Sequence, residues 1–599
     1  MRNLKLLINF MKGSIYLYIG AVVSVCFAAF FTTAIPLAMK ALIDSVIGEE
    51  PLELPLWVLK IIDKIGGREV LAANLPAVCA IIVVLTAGQG IFLYLKVKLA
   101  AVASENSSKR IREKIYDHIM HLPYDYHVKA QTGDLIQRST SDVETVRNFV
   151  SGQLIEIIQI LVSCVYILIM MLSLDSLYTA VSIIMVPVVL VFTVKFFTSM
   201  KKVFKLTDEA EGSMSTTLQE NLTGVRVVKA FGAQSFEIEK FDQKSREYRD
   251  LIMKIIRLMA AFWSNSDLLC MTQYGIVLLA GVYMTISDTI TLGTMVAFTT
   301  LSGMLIWPIR QLGQFLAFMG QAFVALARIQ EILDEPVEPD GQDEYEPEIK
   351  GEIEFNNVYF EYEEGKPVLD NVSFRIRRGQ TAAILGVTGS GKSSLVHLLL
   401  RLYDYQGGTI KIDGVELKKI NRKWLRRNIG IALQEPFLFS KTIKENIAIG
   451  KPNTPDSEIF SAASMACIHN TIQNFEKGYD TLVGERGVTL SGGQRQRLSI
   501  ARTIIRDVPI LIFDDSLSAV DMETDAAIRK ALRERRKNVT TIIISHRITT
   551  LAEADVIFVL DKGKITQSGT HEELIKQDGL YRRVWLIQNS LEEELAGIV

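Results

Sequence analysis

Cysteine is scarce in this sequence of 599 residues. The cysteines form no CxxC pair, and four of the five lie in apolar stretches: they are Cys26, Cys79, Cys164, Cys270 and Cys467. Their spacing excludes a zinc framework and a disulfide framework. We expect them to pack as small buried hydrophobic side chains.

Charge is also sparse, because charged residues make up only 22% of the chain and the formal net charge is −2. A near-neutral chain argues against a protein that binds nucleic acid through bulk electrostatics. Hydrophobic residues reach 49%, the mean hydropathy is +0.23, and the apolar residues are concentrated before residue 330. This composition excludes an ordinary soluble enzyme, a disordered chain and a collagen-like chain.

The first half of the chain contains long apolar segments. Six of them reach the roughly 20 residues that cross a bilayer as a helix. They lie near 16–44, 74–100, 153–173, 177–198, 260–286 and 290–316. Two of these segments contain the charged residues Asp267 and Arg310, and charges at membrane depth usually pair or face a cavity. The sequence therefore predicts an all-α transmembrane domain over 1–330, in contact with a lipid bilayer.

The distribution of lysine and arginine predicts the orientation of this domain. The short turns around Asp175 and Asp288 carry no basic residue, whereas the N-terminus and the two long polar connections carry many. Basic residues accumulate on the cytoplasmic side of a membrane. We therefore expect a multi-pass protein of the cell membrane with cytoplasmic termini. The predicted outer loop at 46–72 is the exception, since it contains basic residues as well.

The composition changes near residue 333, where an acidic, proline-bearing segment predicts a linker over 331–350. From 351 to 599, short β-branched runs alternate with helical patterns. The predicted strands are TAAILG, IGIAL, PILIFD, TTIIIS and VIFVL. This alternation is typical of an α/β domain with a mainly parallel sheet.

The most specific motif is GVTGSGKS, which runs from Gly386 to Ser393 between a predicted strand and a predicted helix. It matches GxxxxGK[ST], the phosphate-binding loop (P-loop) of nucleotide-binding proteins. Backbone N–H groups and a helix N-terminus favour phosphate oxygens there. We expect Lys392 to contact the β- and γ-phosphates and Ser393 to ligate Mg²⁺. The predicted nucleotide contacts in this region are Gly386, Thr388, Gly389, Ser390, Gly391, Lys392, Ser393 and Ser394.

Two further motifs follow along the chain. The apolar strand ILIF ends in Asp514 and Asp515, at the end of a parallel strand where such sheets bind ligands. Asp514 is predicted to support Mg²⁺ and Asp515 to act as a general base toward water. A Ser-Gly-Gly turn, which precedes that strand along the chain, begins a predicted helix. Its N-terminus is a second candidate anion site, with Ser491 and Gly493 as the predicted functional residues.

Taken in order, the P-loop, the run LSGGQ, the acid-ended strand and Ser545-His546-Arg547 resemble the nucleotide-binding domain of an ABC transporter. The resemblance implies an ATPase with ATP and Mg²⁺ bound. It implies adenine stacking on Tyr362 and a Q-loop role for Gln434, which contacts Mg²⁺ and the attacking water. It also implies that His546 is the switch histidine at the γ-phosphate.

The resemblance extends to the membrane half, because six spans followed by one nucleotide-binding domain is the half-transporter layout of type IV ABC exporters. It implies a dimer, since each ATP site needs the P-loop of one domain and the signature LSGGQ of the other. It also implies that the intracellular loops end in coupling helices, which we place near Tyr124–Lys129 and Ala230–Gln234.

One residue departs from the common pattern of the family, in which Glu follows the strand-end Asp. Asp515 is one methylene shorter, and DDSLSAVD resembles the degenerate-site subunit of bacterial heterodimeric exporters. The resemblance implies a second, different half-transporter as partner and a small lipophilic or amphipathic substrate. A homodimeric exporter of lipid or peptide, and an ATP-gated channel or sensor on the same scaffold, are the alternatives.

Overall fold

The structure of the chain is a computed structural model, which describes residues 2–48, 50–51, 75–339, 345–484, 487–518, 520–535 and 538–596. The chain divides into two compact units. One unit consists of residues 1–122 and 130–336, and the other of residues 123–129 and 337–599. Most of the predicted outer loop at 46–72 lies outside the described residues.

The first unit is helical throughout its described part. Its α-helices are Arg2–Met11, Ile15–Ala41, Leu75–His121, Thr132–Gln137, Val143–Asn148, Leu154–Leu174, Ser176–Ile183, Val186–Thr223, Val225–Ala230, Gln234–Ile286 and Leu292–Asp334. Short π-helical turns at Leu42–Ile47, Arg138–Asp142 and Phe149–Gln153 continue some of them.

Among the described residues of this unit, six helical segments are long and apolar enough to cross a membrane, as the hydropathy of the sequence predicts. They are Ile15–Ile47, Cys79–His121, Thr132–Leu174, Ser176–Thr223, Gln234–Ile286 and Leu292–Asp334. Each of the last five exceeds 40 residues, about 60 Å of helix, which is twice the hydrocarbon thickness. The helices therefore continue beyond the apolar segments into the long polar connections.

A short helix at Val225–Ala230 occupies the second intracellular connection. The sequence placed a coupling helix near Ala230–Gln234, so that position is wrong by about five residues. Gly232 explains the difference, because its φ of 62° ends the short helix in the left-handed region. The long helix Gln234–Ile286 then begins where the coupling helix was expected.

All five cysteines are free thiols, as the spacing predicts. Cys270 is buried, but Cys79 is exposed, which corrects the expectation that all of them are buried. Cys79 lies near the start of the candidate membrane span Cys79–His121, whose most apolar stretch is largely exposed.

The second unit has two sheets. The antiparallel sheet has the order β2-β1-β4-β5, formed by Ile353–Glu361 (β1), Pro367–Ile376 (β2), Gly407–Ile412 (β4) and Val415–Glu416 (β5). The larger sheet has the order β10-β9-β3-β8-β7-β6. Its strands are Thr381–Leu385 (β3), Ile429–Ala432 (β6), Ile510–Asp514 (β7), Thr540–Ile544 (β8), Val556–Asp561 (β9) and Lys564–Gly569 (β10).

All five predicted strands of the α/β domain are therefore present, as β3, β6, β7, β8 and β9. These five strands are parallel, and only β10 pairs in the antiparallel sense. Their apolar side chains belong to three hydrophobic cores: Ile384 and Ile512 lie in one, Leu511 and Phe513 in a second, and Leu385 and Val559 in a third. Both faces are covered because successive side chains of a strand point to opposite sides.

Helices surround these sheets. They are Tyr124–Lys129, Lys392–Leu399, Arg422–Asn428, Ile443–Ala448, Asp456–Met465, His469–Gln473, Gly492–Ile504, Met522–Arg535, Ile548–Leu551, His571–Leu574 and Leu580–Ala596. The predicted linker at 331–350 is divided between the units: its first residues complete the helix Leu292–Asp334, and its described residues from 337 onward are tied to this unit. Arg426 forms a two-pronged ion pair with Glu338, at 2.7 and 2.9 Å, and the Trp424 indole donates to the Pro347 carbonyl at 2.8 Å.

We expect the short turns after the third and fifth spans to face the outside of the cell, because they lack basic residues. Ser176→Cys and Ser287→Cys test this at exposed positions that differ from cysteine by one atom. Asp175 and Asp288 are less suitable, because Asp175 caps a helix through a 2.6 Å bond from Tyr178 N–H and Asp288 has a φ of 54°. Both serine variants should react with membrane-impermeant thiol reagents in intact cells, in a background without the native cysteines.

Glu364→Cys, at an exposed position of the second unit, is the matched control and should react only after the cells are opened. Labelling of that variant in intact cells would reverse the predicted orientation.

Candidate nucleotide site

The predicted functional segments converge because they follow adjacent parallel strands. The P-loop follows β3, His546 follows β8, Asp514 ends β7, and Gln434 lies two residues after β6. Strands β3, β8, β7 and β6 are neighbours in that order, and every pairing among them is parallel. Their carboxyl ends therefore meet at one edge of the sheet, which is where open α/β sheets bind ligands.

The P-loop has a backbone that requires glycine. Gly391, at the N-cap of the helix Lys392–Leu399, has a φ of 101°, and a Cβ there would lie 2.9 Å from the Val368 carbonyl oxygen. A Cβ on Gly386 would lie 2.3 Å from the Leu560 carbonyl oxygen. The Ser390 hydroxyl is buried and makes no hydrogen bond to any residue that the structure describes. A cradle with free polar groups fits a phosphate chain.

Lys392 lies inside this loop. Its Nζ donates hydrogen bonds to the carbonyls of Gly386 at 2.7 Å and Val387 at 2.9 Å, and the residue is buried. Burial lowers the pKa of the Lys392 ammonium, and the carboxylates of Asp514 and Asp515 oppose that shift. The ammonium is thus held near the P-loop backbone, where the sequence predicts contact with the β- and γ-phosphates.

Ser393 and Asp514 supply oxygen atoms beside Lys392. Burial raises the pKa of Asp514, whereas its hydrogen bond with Ser393 and the charge of Lys392 lower it. One carboxylate and one hydroxyl fit Mg²⁺, which keeps several waters and shares its coordination with substrate phosphates. Gln434, the third predicted ligand, is exposed and free to approach from β6.

Asp515, the predicted general base, has an unusual backbone. Its φ is 45°, and its N–H donates to the Ile544 carbonyl at 2.9 Å. Aspartate is one of the few residues besides glycine that tolerate this left-handed conformation. Burial raises the pKa of the Asp515 carboxyl, and the neighbouring cationic groups of His546, Lys392 and Arg547 lower it.

The signature segment forms a separate anion site at the start of the helix Gly492–Ile504. The Ser491 hydroxyl accepts a 3.3 Å bond from Gln494 N–H, and the Gln494 side chain accepts a 2.9 Å bond from Ser491 N–H. This capping box fixes the first turn. Ser491 and Gly492 are exposed and Gly493 is half-buried, so the positive end of the helix is open to a ligand.

Tyr362 lies just beyond β1 and contacts the P-loop helix. Its hydroxyl is 2.9 Å from the Ser394 hydroxyl and 3.3 Å from His397 Nδ1. Its ring meets Tyr403 edge to face at 4.9 Å, and 42% of the residue stays exposed. Tyr124, from the short helix that groups with this unit, lies 5.7 Å from both His397 and Tyr403. An aromatic cluster thus positions the ring predicted to stack on adenine.

Two supporting residues were missed by the sequence analysis. Arg547 donates hydrogen bonds to the carbonyls of Ser518 at 2.5 Å and Val520 at 2.8 Å, so it ties the segment that follows Asp515 to the turn that carries His546. Gln588, from the last helix, donates to the His546 carbonyl and accepts from Ile548 N–H. Arg547 is recognisable only by its place after His546, and Gln588 has no sequence signal.

Comparison with known proteins agrees with this geometry. Residues 17–309 match the ABC transporter transmembrane region, and residues 369–518 match the ABC transporter family. The chain is 37% identical to YknU of Bacillus subtilis (strain 168), an uncharacterized ABC transporter ATP-binding protein, over 80% of this chain and 82% of that protein. It is 35% identical to YgaD of the same organism, provisionally named for multidrug export, over 80% of this chain and 83% of that one.

A solved structure of a bacterial Atm1-family ABC exporter with ATP bound is also similar, with a TM-score of 0.80 and 27% identity over 96% of this chain and 99% of that chain. The fold and the site define a membrane ATPase, in which an apolar six-helix domain precedes a nucleotide-binding domain. The chain belongs to the ABC transporter family, among the exporters that combine ATP-binding and permease domains in one chain. It therefore binds ATP and couples its hydrolysis to transport, as a multi-pass membrane protein that dimerises.

Tyr362→Ala should weaken ATP binding, because stacking of a base on an aromatic ring contributes roughly 1–3 kcal/mol. Tyr362→Trp should retain the affinity. Tyr362→Phe keeps the ring and removes only the hydroxyl that contacts Ser394 and His397, so it separates stacking from positioning. Binding of a fluorescent ATP analogue to the purified dimer measures all three. Equal affinity of the alanine variant would remove Tyr362 from the adenine site.

The ATPase activity that depends on Asp515 should fall as the pH drops through the pKa of that carboxyl, since only the ionised form accepts a proton from water. Because burial raises this pKa, the loss should begin at a higher pH than for an ordinary aspartate. Arg547→Gln removes a cation that lowers the pKa of Asp515, and should move the acid limb of the activity profile to higher pH. Arg547→Lys keeps the charge and should not, so a limb that moves equally in both variants contradicts the electrostatic cause.

Proposed function

We propose that this chain is one half of a heterodimeric exporter of the cell membrane, which drives lipophilic or amphipathic compounds out of the cytoplasm with ATP. In this proposal the chain contributes the P-loop of a weak ATP site and the signature of a strong one. The observation that supports it is that one chain has both a short carboxylate, Asp515, in the position of the base and an intact, exposed capping box at Ser491.

The weak site is built on this chain's own P-loop. Lys392 and the P-loop N–H groups would hold the phosphates, and His546 would hold the γ-phosphate. Ser393, Asp514 and Gln434 would hold Mg²⁺, which supplies charge neutralisation at the transferred phosphoryl group. Asp515 would take the proton of the attacking water.

The length of Asp515 limits that proton transfer. One methylene less than glutamate leaves the carboxylate about 1 Å from its best position, and a displacement of this size costs on the order of 100-fold in rate. Compensation by backbone movement is restricted, because the Asp515 N–H is bonded to Ile544 and the residue occupies the left-handed region. Slow hydrolysis at this site follows.

The strong site uses the signature of this chain against the P-loop of the partner. Apart from its chain neighbours and the backbone of its own helix, Gly492 has no atom of a described residue within 4 Å of the place where its Cβ would lie. The backbone there would be open to the γ-phosphate of a nucleotide held by the partner. The positive end of the 13-residue helix would then complete the charge balance.

A homodimer would contain two weak sites instead, and an ATP-gated channel would show conductance without uphill transport.

The order of two variants tests this assignment in the dimer purified with its natural partner. Asp515→Ala should reduce ATP turnover modestly, since the weak site contributes little of it. Ser491→Arg should remove most of the turnover, because it places a bulky cation at the partner's γ-phosphate. ATP hydrolysis by the assembled dimer, with its composition checked by native mass, measures both.

Asp515→Glu restores the missing methylene and should raise turnover at the weak site, while Asp515→Asn is the matched control without a base. Nearly complete loss in Asp515→Ala together with little loss in Ser491→Arg would invert the assignment. A fully active dimer of this chain alone would establish the homodimer instead.

A further inference from the structure

Two charged residues pair between the last two long helices of the membrane unit. Arg310 Nη1 lies 2.7 Å from Asp267 Oδ1, and Arg310 is the only ion-pair partner of Asp267 in the part of the chain that is described. The pairing agrees with the expectation for charges at membrane depth. The two ends of the pair differ in exposure, because the Arg310 side chain is 5% exposed and the Asp267 side chain is 59% exposed.

Two indole rings flank the same pair. The Arg310 guanidinium lies 4.8 Å from the ring centre of Trp263 and 5.5 Å from that of Trp307, which is cation–π geometry. The two rings are 6.3 Å apart and tilted by 31°. Trp263 is 37% exposed and Trp307 is 55% exposed, so both rings also present surface beside Asp267.

The depth of this group follows from helix length. Asp267 is 19 residues from the end of its helix at Ile286, and Arg310 is 18 residues from the start of its helix at Leu292. At about 1.5 Å per residue, both lie roughly 28 Å from the turn that joins the helices. Since the hydrocarbon core is about 30 Å thick, the group lies near its inner edge if that turn is at the outer surface.

The ion pair is oriented, and its orientation selects the charge of a ligand. The cation is buried behind the indoles and the carboxylate is in front, so a molecule that approaches the exposed surface meets the negative end first. Two indole rings add quadrupoles that attract a cation and repel an anion. A carboxylate with two aromatic rings is the chemistry that binds an organic cation with an apolar shell.

We propose that Asp267, Trp263 and Trp307 form a binding site for amphipathic organic cations at the inner membrane face, with Arg310 as the internal cation that occupies the same aromatic and acidic groups between ligands. This inference rests on the proposed export function, since it names the charge class of the exported compound. A bound cation competes with Arg310 for the carboxylate and the rings. Removal of Arg310 should therefore improve binding, whereas a purely structural ion pair predicts harm.

The test uses the dimer purified with its partner in lipid nanodiscs, without ATP, and labelled methyltriphenylphosphonium as the cation in equilibrium dialysis. Triphenylphosphine oxide, which has the same three rings and no net charge, is the matched ligand. We expect the phosphonium to bind at least about tenfold more tightly than the oxide, as cation–π and charged contacts require. Equal binding of the two ligands would overturn the proposal.

Substitutions show which residues cause the preference for the phosphonium over the oxide. Asp267→Asn and Trp307→Ala should each weaken phosphonium binding about tenfold, Trp307→Phe should keep most of it, and Arg310→Gln should strengthen it. The double variant Asp267→Asn with Arg310→Gln leaves no unpaired buried charge, so it keeps the test valid if Asp267→Asn alone does not fold. It should bind as weakly as Asp267→Asn.

Glu156→Gln is the control, because Glu156 also pairs with a buried membrane-unit cation, Lys96 at 2.7 Å. Its phosphonium binding should equal that of the unmodified chain. Unchanged binding in Trp307→Ala and in the double variant would overturn the site. The binding assay contains no ATP, so it does not depend on export. Phosphonium binding in a dimer that exports nothing contradicts only the proposed function. Export by a dimer that does not bind phosphonium contradicts only the proposed site.

Discussion

The parallel order of four neighbouring strands is the constraint on which the nucleotide site depends. Strands β3, β8, β7 and β6 end at one edge of their sheet, so the segments that follow them meet although more than 100 residues separate Gln434 and Lys392 from His546. The buried, β-branched strands fix that edge through apolar packing on both faces. The apolar core therefore sets the positions of Gln434, Asp514 and His546 relative to one another.

The site also contains energetically unfavourable features, namely buried charges and left-handed backbone. Burial shifts the pKa of Lys392, Asp514 and Asp515 toward the neutral form. In each case the opposite charge of another of these three groups partly offsets that pKa shift. Such a group of opposed charges in a cleft is typical of catalytic sites. Gly391, at the N-cap of the helix Lys392–Leu399, and Asp515, just after β7, have left-handed backbone. The buried, opposed charges thus lie beyond the carboxyl ends of β3 and β7, where the sequence predicts the nucleotide phosphates.

In the described part of the membrane unit, buried charged groups are bonded to side chains or backbone groups of another helix. Lys96 is bonded to Glu156 and Gln159, and Arg310 to Asp267. The Asp44 carboxylate accepts hydrogen bonds from Gly293 N–H at 2.7 Å and from the Thr291 hydroxyl, so it caps the helix Leu292–Asp334. Each of these contacts joins distant helices, and in an apolar solvent such polar contacts hold them in one arrangement.

The sequence by itself determined the two-part architecture, the six apolar helices and the motifs of the ATP site, because hydrophobic periodicity and glycine-rich loops are local properties of the chain. It predicted five strands of the larger sheet correctly. It placed the second coupling helix too late, because the glycine at 232 that ends the observed helix is a weak signal beside a polar connection. The supporting roles of Arg547 and Gln588, and the cluster of Tyr362 with Tyr124 and His397, were decided only by the tertiary structure. Those contacts join segments that are far apart along the chain, and no local pattern encodes which distant side chains packing will bring together.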